Sequence, residues 1–336
     1  MKKDAKISAI RLICTLAIVV LHIFQQIESD VKNLNIATDW LNLGLVMFCC
    51  ISAFLYSSRN IGDAWKWYKH RYFEIAIPAL IVGVITILFF ALTGDITISK
   101  MGATILSSLG FEAFLNDSWM FIQLWFLTYL LIFYLTLPLL QKINCKCKSE
   151  FKFWSVCGAT VVFVQGISLI IESIIDIDLL SVGVFLRFYL PYFVFRRYGI
   201  ESDLLKKIMK LFALLCIPVI LIVSYVRYFA QVEGWGEIVF IYGQTFIGFV
   251  LFYWLYQAFT GVKVYNKLLI LSDKYSYNIY LTHCLFIGYK TSIIKNAPNV
   301  FIGIIIALLL TFVSSVTLGF IMKQIKDYLC VKRNPV

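Results

Sequence analysis

The sequence predicts an all-α membrane protein, a polytopic bundle of about ten transmembrane helices with both termini in the cytoplasm. Three observations predict it. Hydrophobic residues make up 61% of the 336 and charged residues only 15%, against about 45–50% and 25% in soluble domains. The mean hydropathy of +0.85 leaves no polar coat for a soluble globule. The apolar residues also fall into unbroken runs of about 20, the length that crosses a bilayer as a helix. Aromatic residues are 17% of the chain and most lie inside those runs, without the alternation of a membrane barrel.

Ten spans follow in order at 7–27, 39–58, 72–93, 118–140, 153–171, 179–195, 209–229, 238–259, 275–290 and 299–322. The net charge of +11 could suggest nucleic acid, but its distribution excludes that partner. With the N-terminus inside, the inner segments hold 24 of the 30 Lys and Arg, while 11 of the 19 acids lie outside. That is the positive-inside bias, and it sets orientation and an even span number together. Lys2 and Lys3 precede the first span as in a signal peptide. The run is too long for an h-region, lacks a small-residue cleavage site and is followed by nine more spans. It is expected to be a retained first helix.

No soluble domain, repeat or low-complexity tract interrupts the spans, so residues 1–336 are expected to be a single membrane domain. The longest outer stretch, 94–117, carries Met101, Ile105, Leu106 and Leu109 at helical spacing. It is expected to form a short amphipathic helix on the outer surface or over a cavity. The nine cysteines lie mostly inside spans or on the inner side and should be free thiols. Cys145 and Cys147 form C-x-C with no second ligand pair, so no metal site is expected. With no extramembrane domain to host it, any chemistry is expected in or across the bilayer.

Charged and titratable side chains inside a span cost about 2.5–3.5 kcal/mol at its centre on insertion scales, so they mark functional positions. In "RLICTLAIVVLH", Arg11 and His22 are eleven positions apart, about 20° beyond three full turns with a rise of about 16 Å. The two share one helix face, Arg11 at the inner end and His22 past mid-membrane. A guanidinium fork suits phosphate, and a neutral imidazole can take a hydroxyl proton. A phosphate site inside and a base deeper suit a long phosphorylated donor such as a coenzyme A thioester. His283 is the rival base, with Ser276 and Tyr280 on its helix face at i−7 and i−3. Arg187 lies within span six. Arg71 and Glu74 open span three just before Pro78, where an intrahelical ion pair on a basic inner flank explains them as well as a site does.

Taken together these segments resemble the acyltransferase-3 family of integral membrane acyltransferases. Arg11 and His22 match its first-helix spacing. "MFCCISAFLY" (47–56) is similar to its F-x-x-S-G turn, with Ala53 at the glycine position. Arg71 and Pro78 match its R-x-x-R…P opening, with Glu74 at the second arginine. "LWFLTYLLIFYLTLPLL" (124–140), which contains Trp125, is similar to its L-W-F-L segment. "RFYLPYFVF" (187–195) and "YSYNIYLTH" (275–283) are similar to its later signatures. The resemblance implies transfer of an acetyl or succinyl group from cytoplasmic acyl-CoA to a hydroxyl of an extracytoplasmic carbohydrate or lipid-linked envelope acceptor. It implies His22 and Arg11 as catalytic residues, Arg11 and Arg71 as donor-binding residues, and Arg187, Trp125, Ser276, Tyr280 and His283 as substrate-binding residues. It also implies a multi-pass place among the lipids of a bacterial plasma membrane, with the acyl group delivered directly or through a separate outer-surface or synthase partner.

Similar membrane domains occur fused to serine racemases in glycopeptide resistance, so a transporter or flippase for a small polar solute or lipid-linked sugar is the alternative reading. A structural subunit of a synthase complex is a third. The inner-mouth arginine and the lack of Gly/Pro-broken helix pairs in matching halves favour the transferase. The cation split makes the orientation testable. Reporter fusions after residues 150, 205 and 336 should read cytoplasmic, and fusions near 108 and 175 should read outside. A cytoplasmic signal at 108 would break the ten-span arrangement.

Overall fold

A computed structural model describes residues 4–27, 34–93, 96–115, 124–175, 182–230, 235–260, 266–288 and 292–331. Among these residues the regular structure is helix throughout, with no strand. Apolar spans force that outcome, because lipid offers no partner for a backbone N–H or C=O and a helix satisfies its own. The chain runs through α1 (Ala5–Ile27), α2 (Leu34–Leu41), α3 (Leu43–Ser57), α4 (Ala64–Thr93), the short α5 (Ile98–Leu106) and α6 (Trp125–Lys146). It continues through α7 (Glu150–Ile175), α8 (Val182–Tyr198), α9 (Asp203–Ser224), α10 (Trp235–Ala258), α11 (Asn266–Ile287), the single turn α12 (Ile293–Asn296) and α13 (Val300–Val331).

Seven helical segments are long and apolar enough to cross a membrane: α1, α2 with α3, α4, α6, α9 with the turn after it, α10 and α13. Helices α7, α8 and α11 occupy the other three expected spans. Portions of expected spans at 118–123, 179–181 and 289–290, and outer residues 94–95 and 116–117, lie outside the described residues. The ninth span starts earlier than its hydropathy suggests. Helix α11 begins at Asn266 and not near 275, so Asp273 and Lys274 belong to the helix and not to a loop.

Three buried clusters hold the helices together. One joins α3, α4, α6, α8 and α11 through residues such as Phe133, Phe188, Tyr189 and Leu281. The second joins α1, α3, α8, α9 and α10 around Ile10, Val46, Phe195 and Phe252. A smaller one links α1, α11, α12 and α13 through Val19, Ile23, Ile287 and Ala307. Helices α9 and α13 line the outside and expose Leu214, Ile217, Leu309 and Phe312, as lipid-facing helices do.

Helix α11 is fixed from two sides. Against α13, Asn278 Nδ2 donates to the Ser315 carbonyl at 3.0 Å, and the Thr282 and Ser315 hydroxyls are 2.9 Å apart. Against α1, Arg11 meets Asp273 and His22 meets His283. The two contacts are offset by eleven residues on α1 and ten on α11, rises of about 16 and 15 Å. Helices α1 and α11 therefore run side by side in the same direction. That parity requires an odd number of crossings between them, as the seven intervening expected spans supply.

The stretch after α4 differs in detail from its amphipathic expectation. Helix α5 forms, capped by the Thr97 hydroxyl accepting from the Lys100 N–H. Its packed face is the polar one, with Thr104, Ser107 and Ser108 buried and Met101, Ile105 and Leu106 exposed. The small side chains let the segment settle on Gly83 of α4, where an added Cβ would collide with Ser108 Oγ. The apolar face is left to lipid. The eight described cysteines are all unpaired thiols.

Gly44 sets the α1–α3 distance. A Cβ there would lie 2.9 Å from the Ala17 methyl and 3.1 Å from the Cys14 carbonyl, neither of which can rotate away. Gly44→Val should lower stability by about 1–3 kcal/mol, the usual cost of overpacking. A fall in the thermal midpoint of the purified protein would report it, and an unchanged midpoint would contradict this packing.

Candidate active site

A cavity of about 230 Å³ opens between α1, α3, α4, α6 and α11. Its polar lining consists of Arg11, Ser52, Glu74, Tyr134, Asp273, Ser276, Tyr277 and Tyr280, and Ile18, Phe126 and Leu130 are among its apolar walls. Of the residues singled out in the sequence, it gathers Arg11, Glu74, Ser276 and Tyr280.

Arg11 is held where α1 passes α11. Its guanidinium bonds the carboxylate of Asp273, whose side chain is only 5% exposed. Thr15 Oγ1 donates to the Arg11 carbonyl at 2.8 Å, one turn on. The expected phosphate fork is thus already engaged by a carboxylate. Glu74 brings a second carboxylate to the cavity and is paired with Arg71, Nη1 to Oε2 at 2.5 Å. Arg71 also lies 5.5 Å above the Tyr56 ring. The intrahelical pair seen as one explanation of Arg71 and Glu74 is therefore present, and the lining balances charge instead of presenting bare cations.

At the other end of the seam Tyr280 links the cavity to the histidines. Its ring centroid is 6.1 Å from that of His283, which is 5.1 Å from that of His22. His22 Nδ1 lies 2.8 Å from Gln25 Oε1 and His283 Nδ1 lies 3.0 Å from the Ile279 carbonyl. Both partners are acceptors, so each Nδ1 carries the proton and each Nε2 keeps its lone pair. Cys284 Sγ is 3.2 Å from His283 Nε2, to which its S–H donates. His283 is fully buried, while His22 is half-buried. A neutral imidazole with a pinned Nδ1–H and an open Nε2 can accept a proton from a bound hydroxyl.

The family model described as an acyltransferase domain matches residues 4–322. The chain belongs to the acyltransferase-3 family. The match runs from the residue before α1 into α13, so both sides of the α1–α11 seam lie inside the family domain. No curated protein and no solved structure matches the chain. The protein is a multi-pass membrane acyltransferase in the broad sense that its family supplies.

Of the residues implied as substrate-binding, Trp125, Arg187 and His283 are not among those that line the cavity. Trp125 packs its ring edge-on against Phe126 and Tyr129, 6.4 and 5.4 Å between centroids. Arg187 is 3% exposed. It donates to Gln244 Oε1 of α10 at 3.3 Å, and the Gln244 amide in turn bonds the Asp39 carbonyl of α2. This arginine ties three helices together. Sequence reasoning misses Asp273, because the expected ninth span begins two residues after it. Gln25 and Cys284 escape it for want of any local pattern. The available signal for Asp273 is its position one turn before Ser276, which puts it on the face of Ser276, Tyr280 and His283.

Removing one member of a buried pair strands the other charge, at a typical cost of about 3–5 kcal/mol, while removing both is much better tolerated. Arg11→Gln and Asp273→Asn should each lower the thermal midpoint, and the double variant should regain most of the loss. Additive destabilisation in the double variant would show that the two side chains do not act as a pair.

Proposed function

We propose that this acyltransferase moves an acetyl or succinyl group from cytoplasmic acyl-CoA to a hydroxyl of an extracytoplasmic carbohydrate or envelope acceptor, with His22 as the general base. One observation carries the reading. On a single face of α1, an arginine at a polar cavity is followed three turns later by a histidine whose Nδ1 is occupied and whose Nε2 is open.

In the reaction the acceptor hydroxyl gives its proton to His22 Nε2 as its oxygen attacks the thioester carbonyl. The tetrahedral intermediate collapses with loss of the coenzyme A thiolate, which takes the proton from the His22 imidazolium. The imidazole is then neutral again. Gln25 keeps the tautomer correct throughout. The cavity suits the acyl and pantetheine end of the donor, with its amides able to meet Ser52, Ser276 and Tyr280. Its inner-end Arg11 and nearby Arg71 offer cations to the donor's phosphates if those displace the carboxylates now holding them. His283, between Tyr280 and His22, is assigned to orienting the thioester or the acceptor. The transporter reading uses the same polar seam but gives no role to a tautomer-fixed base.

Purified protein with acyl-CoA and a carbohydrate acceptor should release coenzyme A thiol. His22→Ala should cut that release by about 10²–10⁴-fold, the usual loss on removing a general base. It should leave donor binding, read by thermal stabilisation, intact. His283→Ala should cost less. A reversed ranking moves the base to α11. If neither change matters and solute uptake persists, the transferase reading falls.

A further inference from the structure

His22, His283 and Cys284 form a cluster that acyl transfer alone does not explain. One ligand atom from each lies within 4.8 Å of the other two. The hydrogen bonds to Gln25 and Ile279 leave Nε2 on both rings with its lone pair. A ligating histidine in a metal site characteristically has its second nitrogen held in this way, by a carboxylate, carbonyl or water. The Cys284 thiol completes a set of two imidazoles and one sulfur, which suits zinc-class ions and not magnesium or calcium. Tetrahedral zinc places its ligand atoms roughly 3.3–3.8 Å apart, from metal–ligand distances of about 2.0–2.3 Å. From separations of no more than 4.8 Å, the cluster needs to close by at most about 1–1.5 Å. His22, the half-buried member, offers the way in.

We propose that His22, His283 and Cys284 bind a zinc-class ion with a fourth position left open, and that occupancy inhibits acyl transfer. The inhibitory half rests on the role proposed for His22. An ion on Nε2 takes the lone pair that would accept the hydroxyl proton, so the bound and catalytic states exclude each other. Binding releases the Cys284 proton to solvent and leaves the sulfur as thiolate. The site is invisible to motif reading because its ligands come from positions 22 and 283–284, on helices that meet only in the fold.

The test uses the full-length protein in detergent or lipid nanodiscs, stripped of metal, with Zn²⁺ and Co²⁺ as the probes. Expected is one tightly bound equivalent of Zn²⁺ against a competing chromophoric chelator. Co²⁺ should give a thiolate-to-metal charge-transfer band. Cys284→Ser should abolish that band while Cys145→Ser, an exposed thiol on the inner side, keeps it. Gln25→Leu should weaken Zn²⁺ binding by about 10–100-fold, as loss of an outer hydrogen-bond partner does. Zn²⁺ should inhibit coenzyme A release with the same midpoint as binding, and Cys284→Ser, compared with its own zinc-free rate, should lose that sensitivity. Absence of a saturable equivalent, or a band that follows Cys145, overturns the site. Activation by Zn²⁺ overturns the inhibition. A Cys284-dependent band in a protein that transfers no acyl group leaves the metal site standing and removes the catalytic reading.

Discussion

Arg11 of α1 and Asp273 of α11 form the contact on which the rest of the site depends. Neither charge is tolerable alone where both are largely removed from water, because an unpaired buried ion costs several kcal/mol. Paired, they join residues 262 positions apart and set how α1 lies against α11 along its length. The histidines follow from that register. Eleven residues on from the arginine and ten on from the aspartate, the two helices present His22 and His283 at nearly the same height. A slip of one turn on either helix would part the imidazoles by about 5 Å.

The rest of the bundle holds this seam from several sides. Helix α13 grips α11 from behind through Asn278, Thr282 and Ser315, contacts that cost little desolvation because each polar group has a protein partner. Helix α3 approaches α1 as closely as it does because Gly44 has no side chain. Helix α4 carries Pro78 inside it and gives its Ile75 carbonyl, in the turn before the proline, to the Tyr277 hydroxyl at 2.8 Å. Such a bond is available where proline loosens a helix and a neighbour can satisfy the backbone. The cavity between these helices is polar on the α1–α11 side and aromatic on the α6 side, where Phe126, Leu127, Leu130 and Tyr134 form its wall.

The described arginines in and beside the cavity are paired with carboxylates. Arg11 is answered by Asp273 and Arg71 by Glu74, so each cation has a counter-charge beside it. Arg187 differs, with no carboxylate among its described hydrogen-bond partners. Gln244 accepts its N–H and passes the connection to the backbone of α2.

Local properties of the chain determined the class of fold. Hydropathy, span length and the placing of Lys and Arg act within about 20 residues, so the helices and their order could be read directly, and with them the likeness to a membrane acyltransferase. The shared face of Arg11 and His22 could also be read, because helical geometry alone places them. Tertiary structure decided what that face meets. That Arg11 would find Asp273, that His22 would lie beside His283 and Cys284, and that Arg187 would bond Gln244 all depend on which helices pack together. In lipid, apolar surface is nearly indifferent to its neighbour, and the choice falls to small residues, ion pairs and hydrogen bonds spread over hundreds of positions. No window along the sequence contains both halves of those interactions.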